Sequence, residues 1–255
     1  LSDDTDERQS TLTKRVSPAR SKAAKKAART RAENARLAHL WKHEQELWRS
    51  GYELIAGVDE SGVGPLAGPV VAAAVILPRD FKAPGLWECK RLLADKRPQF
   101  WSVIVKCATA VGIGVVEVEE LDRINIHQAA LKAMRQAISC LPVNPDSALV
   151  DGFSVPGLEV FQRPIVDGDQ YSISIAAASV VAKVTRDRIM ERLDRLYPGY
   201  GFANHKGYGT REHRAALQRL GVCPIHRRSF APIVQLIEGA PPEAGDGSTA
   251  AQARH

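Results

Sequence analysis

Hydrophobic residues along the chain change period several times. Five runs have the length and content of buried strands: "LIAGVD" (54–59), "PVVAAAVIL" (69–77), "VGIGVVEV" (111–118), "SALVD" (147–151) and "VFQRPIV" (160–166). Other segments repeat their apolar positions at helical spacing. Leu37, Leu40, Trp41, Glu44, Leu47 and Trp48 predict a helix within 37–54, "IHQAALKAMRQAISCL" a second, and residues 171–197 a long third, with further helices over 210–220 and 230–238. The short link between the first two strands predicts antiparallel neighbours. The helices between the later strands allow these to pair in parallel. The expected fold is therefore α/β, a mixed sheet with helices on its faces.

The two ends lack this patterning. Residues 1–36 include eight basic residues and no acidic one between Lys14 and Arg31, on good helix formers with almost no apolar face. They read as a flexible extension, with a second reading as an arm that grips phosphates regardless of sequence. From residue 239 the tail has no core-forming residues, so one catalytic body is expected over 37–238. The net charge of +6 is concentrated at the start: residues 1–50 hold twelve Lys and Arg against seven Asp and Glu. The body must therefore meet any polyanion with local patches. No apolar run has the length of a membrane span and no leader-like stretch is seen, so no membrane partner and a cytoplasmic location are expected. Cys89, Cys107, Cys140 and Cys223 are scattered, against a zinc site or a disulfide framework.

Four acidic residues occupy positions where chemistry could gather. Asp59 and Glu60 end the first strand run, Asp151 ends the fourth, and Asp169 precedes the long helix. Strand ends and a helix start can converge at one rim of a sheet, and carboxylates crowded there stay ionised only if cations balance them. Oxygen ligands with no His or Cys beside them favour Mg²⁺ or Mn²⁺. Two such ions, roughly 4 Å apart, suit the attacking and leaving oxygens of a phosphodiester. Singly, each acid has a plainer reading: Asp59 or Asp151 as a strand-end turn former, Asp169 as the helix N-cap. The glycines Gly62, Gly64 and Gly68 do not form a dinucleotide fingerprint, because Pro65 and a strand-like run follow instead of a helix. They fit a turn whose backbone can approach a nucleic acid strand, or a glycine hairpin with no ligand.

Taken in order, "GVDESGVGPLAGPVVAAAVIL", "INIHQAALKAMRQAI", "LVDG", "GDQYSISIAAASVVAKVTRDRIM", "PGYGFANHKGYGT" and "IHRRSF" resemble bacterial ribonuclease HII, the type 2 ribonuclease H, over about residues 40–235. The resemblance implies a ribonuclease H-like mixed five-stranded sheet flanked by helices, with a small C-terminal helical part. It implies a metal-dependent endonuclease acting on RNA/DNA hybrids and on duplex DNA with embedded ribonucleotides. Cleavage would fall on the 5′ side of a ribonucleotide and leave 3′-hydroxyl and 5′-phosphate ends. By position, Asp59, Glu60, Asp151 and Asp169 match the family's metal-binding carboxylates, so Mg²⁺ or Mn²⁺, in a two-ion site, is the expected cofactor. Gly62, Val63 and Gly64 match the loop that meets the ribose 2′-hydroxyl. Tyr208 matches the tyrosine that stacks on the neighbouring sugar. Ser179 and Lys183, four apart on the long helix, would share a substrate-facing side or merely pack. Arg186 and Asp187 are expected to form a local pair. A monomer is expected.

Two departures stand out. The family loop reads Gly-Arg-Gly where this chain has Gly62-Val63-Gly64, which removes a planar charged donor. Valine would also be strained if the turn demanded a positive φ there. At 88–92 the family's Asp-Ser-Lys-Lys-Leu becomes Glu88-Cys89-Lys90-Arg91-Leu92, which keeps a basic Lys90 and exchanges a hydroxyl for a thiol. The expectation is intact metal chemistry with altered junction recognition. The alternative is a hybrid-binding protein of attenuated or relaxed activity.

Overall fold

The computed structural model describes Ala35 and residues 38–82 and 97–239. By its contacts the chain divides into two units, Leu1–Ala38 and His39–His255, and the elements below belong to the second. In chain order they are α1 (Lys42–Arg49), β1 (Ile55–Ser61), β2 (Val70–Ile76), α2 (Arg97–Cys107), β3 (Ala110–Val116), α3 (Val118–Ile124), α4 (Ile126–Ser139), β4 (Ser147–Asp151), β5 (Phe161–Ile165), α5 (Ile173–Leu196), α6 (Phe202–His205), α7 (Arg211–Leu220) and α8 (Ala231–Glu238).

The strands form one sheet in the order β3-β2-β1-β4-β5. β1 and β3 each pair antiparallel with β2, while β4 lies parallel between β1 and β5. This is the expected mixed sheet. The interior strand β2, "VVAAAVI", is buried along its whole length, as a strand covered on both faces must be. One face packs under α4, where Val58, Ala72, Val150, Ala133, Met134 and Ala137 share a core. The other face receives α5. There Gly57 is required: a Cβ on it would lie 2.0 Å from the Ser174 carbonyl carbon and 2.4 Å from Ile175 N, both backbone atoms that cannot turn aside. We expect Gly57→Ala to push α5 off the sheet and cost about 1–3 kcal/mol, the scale of overpacking. A melting temperature equal to that of the unaltered chain would show that the helix can shift freely.

A second core lies beyond α5. Leu66, Met190, Tyr200, Phe202, Leu217 and Ile233 pack together, joining the segment after β1 to the C-terminal helices. Backbone bonds stitch the same junction: Leu66 N donates to Gly207 O at 2.8 Å, Gly68 N to Ile225 O at 2.9 Å and Arg227 N to Leu66 O at 2.9 Å.

Several expectations need correction. β1 does not end at Asp59 but runs on to Ser61, with Asp59, Glu60 and Ser61 paired to Ala73, Ala72 and Val71. The ladder is made of backbone groups, so charged side chains do not stop it. The helix expected within 37–54 ends at Arg49, and Gly51 follows at φ 94. α2, α3 and α6 had no counterpart in the sequence reading. Lys90 and Cys89, like the basic arm and the tail beyond 239, lie outside the described residues.

Candidate active site

β1 and β4 run side by side in parallel, with Val58 opposite Val150. Both valines bury under α4. Alternation along a strand then sends the next residues, Asp59 and Asp151, to the opposite face, the one covered by α5. Asp59 is only 6% exposed and Asp169 equally so. Burial pushes the Asp59 carboxyl well above its ordinary value. The charges of Glu60 and Asp151 add to the push, the Ser179 hydroxyl donating to Asp59 opposes it, and Asp169 adds a smaller share. Asp59 therefore feels the charges of the other three carboxylates named from the sequence. Two of the four also organise backbone: Asp59 Oδ1 accepts from Glu60 N at 2.7 Å, and Asp151 Oδ1 from Gly168 N at 2.6 Å.

Asp169 is not the N-cap of α5. It sits in a single 3₁₀ turn, Gly168–Gln170. The cap is Ser172, whose Oγ accepts from Ile175 N at 3.2 Å. Ser172 in turn donates to Glu44 Oε1 at 2.6 Å, and Ser174 N donates to the same oxygen at 3.0 Å. Glu44 is fully buried, which raises its carboxyl pKa against the pull of these bonds. A carboxylate at a helix N-terminus is favourably placed, and here it ties α1 to the start of the helix carrying Ser179 and Lys183.

Beside the carboxylates opens a cleft of about 290 Å³ lined by Glu60, Ser61, Arg97, Ser179, Val180, Lys183 and Tyr208. It brings predicted metal-site and substrate-site residues onto one wall, and it adds Arg97, which the sequence did not single out. Lys183 is engaged with Asp187 at 2.6 Å, and its Nζ lies 5.9 Å from the Tyr208 ring centre. The expected Arg186–Asp187 pair is thus replaced. Arg186 is fully buried and donates to the carbonyls of Pro69 (3.0 Å), Lys206 (3.0 Å) and Ala67 (3.1 Å).

A second buried guanidinium holds the Gly-Val-Gly turn. Arg227 donates from Nη1 to Val63 O at 2.9 Å, from Nη2 to Gly62 O and Gly68 O, and from Nε to Gly68 O at 3.0 Å. Burial and the Arg186 charge bring its pKa down to about 9, so it stays protonated at neutral pH. Gly62 has φ 100, and a Cβ there would meet Arg186 Nε at 2.1 Å. Val63 does not take a positive φ, so the feared backbone strain is absent. The C=O and N–H of a trans peptide point in opposite directions. With the Gly62 and Val63 carbonyls turned onto Arg227, the N–H groups of Val63 and Gly64 face away from it. Gly64 borders Tyr208, whose Cε1 would stand 3.8 Å from a Cβ at that position.

The sequence carried a signal for the buried roles of Arg186 and Glu44. Ala178, Ala182, Arg186 and Met190 are spaced by four along the buried side of α5, so Arg186 occupies a core position. Glu44 interrupts the apolar stripe of α1 in the same way. Arg227 had no such pattern, because it sits between elements.

The donor set is all oxygen, and Asp59 is pressed by the charges of three other carboxylates. Both features fit a hard divalent cation. Among the described residues no three His, Cys, Asp or Glu side chains are already gathered at ligand spacing. The carboxylates are linked by charge across a shared space and do not form a preformed cage.

Comparison with known proteins gives the family and the fold. The family model described as Ribonuclease HII matches residues 56–233. Ribonuclease HII of Anaeromyxobacter sp. (strain Fw109-5) is 51% identical over 211 residues, covering 83% of this chain and 67% of that protein. The crystal structure of ribonuclease H2 from Pyrococcus horikoshii OT3 matches with a TM-score of 0.63 at 24% identity, over 73% of this chain and 98% of that one. Bst-RNase HIII in complex with Mn²⁺ matches at 0.54 and 18% identity, over 73% and 70%. The two structures establish the shared fold. With the family match extending across both the carboxylate strands and the Arg227 segment, the chain belongs to the ribonuclease HII family, endonucleases that hydrolyse RNA in RNA/DNA hybrids.

Proposed function

We propose that this protein cuts duplexes on the 5′ side of a ribonucleotide joined to DNA, leaving 3′-hydroxyl and 5′-phosphate ends. It also cleaves longer RNA/DNA hybrids and requires Mg²⁺ or Mn²⁺. The observation that carries this reading is the single cleft shared by Glu60, Ser179, Lys183 and Tyr208, next to the electrostatically coupled Asp59. Asp59, Glu60, Asp151 and Asp169 would hold the ions. When bound, these would neutralise the carboxylates and lower the barrier to in-line attack of water on the phosphodiester. A solved relative, Bst-RNase HIII, contains Mn²⁺. Ser179 positions Asp59 through its hydroxyl. The outward N–H groups of Val63 and Gly64 are suited to a ribose hydroxyl or a phosphate oxygen, and the exposed Tyr208 ring to stacking on the next sugar. A 2′-hydroxyl on that sugar would crowd the ring, which favours deoxyribose. Such a cut would begin removal of ribonucleotides misincorporated during replication.

Val63 sets the test. Val63 is 39% exposed and carries no charge. Val63→Arg should raise kcat/KM on a duplex with one embedded ribonucleotide by about tenfold or more, the worth of one charge-assisted contact. The gain should shrink as salt is raised. Parallel assays with a run of ribonucleotides, in Mg²⁺ and in Mn²⁺, separate junction reading from hybrid cleavage. If the unaltered chain already nicks the single site as efficiently as the variant, the backbone alone reads the junction. If it cleaves neither duplex with either metal, the proposal fails.

A further inference from the structure

Tyr208 is 42% exposed, and the backbone that carries its ring sets where the ring starts from. That backbone ends a chain of hydrogen bonds which the proposed function does not use. Cys223 N, which can only donate, lies 2.9 Å from His226 Nδ1. His226 Nδ1 therefore accepts, and its proton resides on Nε2. His226 Nε2 is 3.0 Å from His213 Nε2, which must accept in turn. That leaves the His213 proton on Nδ1, 2.9 Å from the Tyr208 carbonyl. The opposite order would let His226 Nδ1 donate to Cys223 O at 3.3 Å, but it would set a lone pair of His213 against the Tyr208 oxygen. A third imidazole holds the other side of the loop. His205 Nδ1 accepts from Gly207 N at 3.2 Å, Nε2 donates to Tyr200 O at 2.8 Å, and the ring stacks on His213 at 4.4 Å. Each of these ring nitrogens has a partner, and among the described residues no such group has the spacing of a metal's ligands.

We propose that His213 and His226 are positioning residues. Their directed hydrogen bonds, anchored at Cys223 and ending on the Tyr208 carbonyl, fix the angle at which the Tyr208 ring meets the sugar. The inference rests on the role given to Tyr208 above. Both histidines are fully buried, and burial lowers their pKa values to about 4, so both rings are neutral at pH 7. A neutral pair gives one donor and one acceptor to each contact, as the chain requires.

The test compares His213→Leu, His213→Asn, His213→Gln, Tyr208→Ala and the double variant His213→Leu/Tyr208→Ala. Asparagine can present an amide donor near the Nδ1 position, whereas glutamine reaches His226 but not Tyr208. Two quantities are read: hydrogen exchange of amides 207–210, with β2 as the folding control, and kcat/KM on the single-ribonucleotide duplex. His213→Leu should speed exchange of 207–210 and lower kcat/KM, each by about tenfold, with β2 protected. His213→Asn should restore both to within about threefold of the unaltered chain. The loss in kcat/KM should vanish in the Tyr208→Ala background, since the effect runs through that residue. Should leucine loosen β2, His213→Gln takes its place, expected to free the loop while the core stays protected. Unchanged exchange at 207–210, or an equal loss of activity with and without Tyr208, overturns the proposal. If Tyr208→Ala itself cleaves normally, the stacking role of Tyr208 falls, while the exchange data still decide whether the histidines hold the loop.

Discussion

Asp59→Asn should abolish cleavage and, at the same time, make the protein more stable. The rate should fall by roughly a thousandfold or more, the upper range for removing one preorganised electrostatic group. Asparagine matches aspartate in shape and can still accept from the Ser179 hydroxyl and from Glu60 N, so the strand and α5 keep their contacts. What disappears is a buried negative charge facing Glu60, Asp151 and Asp169. The sign with pH follows. Folding raises the Asp59 pKa, so the folded state is favoured where the group is protonated and loses stability as pH rises through that raised value. The Asp59→Asn variant lacks that loss. In EDTA at pH 7 its melting temperature should therefore lie above that of the unaltered chain, by about 2–4 °C for each kcal/mol recovered. Thermal unfolding at pH 5 and pH 8 checks the difference, and turnover checks the function. Near-normal turnover would remove Asp59 from the reaction. A lowered melting temperature would mean that its charge is stabilising where it sits.

Arg227→Lys should damage the protein without touching any residue that meets substrate. The planar guanidinium donates to the carbonyls of Gly62, Val63 and Gly68 together. An ammonium cannot reach all three, and the unsatisfied oxygens cost about 2–4 kcal/mol in total. For a chain of this size that corresponds to a fall in melting temperature of roughly 5–15 °C. The larger effect is catalytic. If the turn relaxes by about an ångström, activity on a single embedded ribonucleotide should drop by up to about a hundredfold. Long hybrids, which offer many registers, should suffer less. Circular dichroism and paired cleavage assays read the two effects. A fully active lysine variant would show that the turn holds its shape without the planar fork.

These two residues also mark what could and could not be read from the chain. Asp59 was legible because a charge at the edge of an apolar run is conspicuous, and its partners Asp151 and Asp169 sit at similar edges. The antiparallel pairing of β1 with β2 followed from the short link between them. The run of β1 through Asp59 and Glu60 was not legible, because ladder pairing with Ala72 and Ala73 is a backbone matter. α3 escaped notice since only Val118 and Leu121 are buried in its seven residues, too few to show a period. α2 begins with Arg97-Pro98, and a proline near the start of a pattern reads as a break unless the first helical turn is suspected. Arg227 was hidden for a deeper reason. Its partners are main-chain oxygens, which every residue possesses, so no spacing of side chains announces it.

The reach of Arg227 has a consequence for how the enzyme is made. Nη2 of Arg227 and the carbonyl of Gly62 are 165 positions apart. A ribosome adding residues at about 5–20 per second needs roughly ten to thirty seconds to cover that interval. Throughout it Asp59 and Glu60 already exist, and Asp151 and Asp169 join them part-way, while the turn beside them has no clamp. The turn beside Asp59 and Glu60 can therefore take its clamped shape only after Arg227 has left the ribosome, late in synthesis.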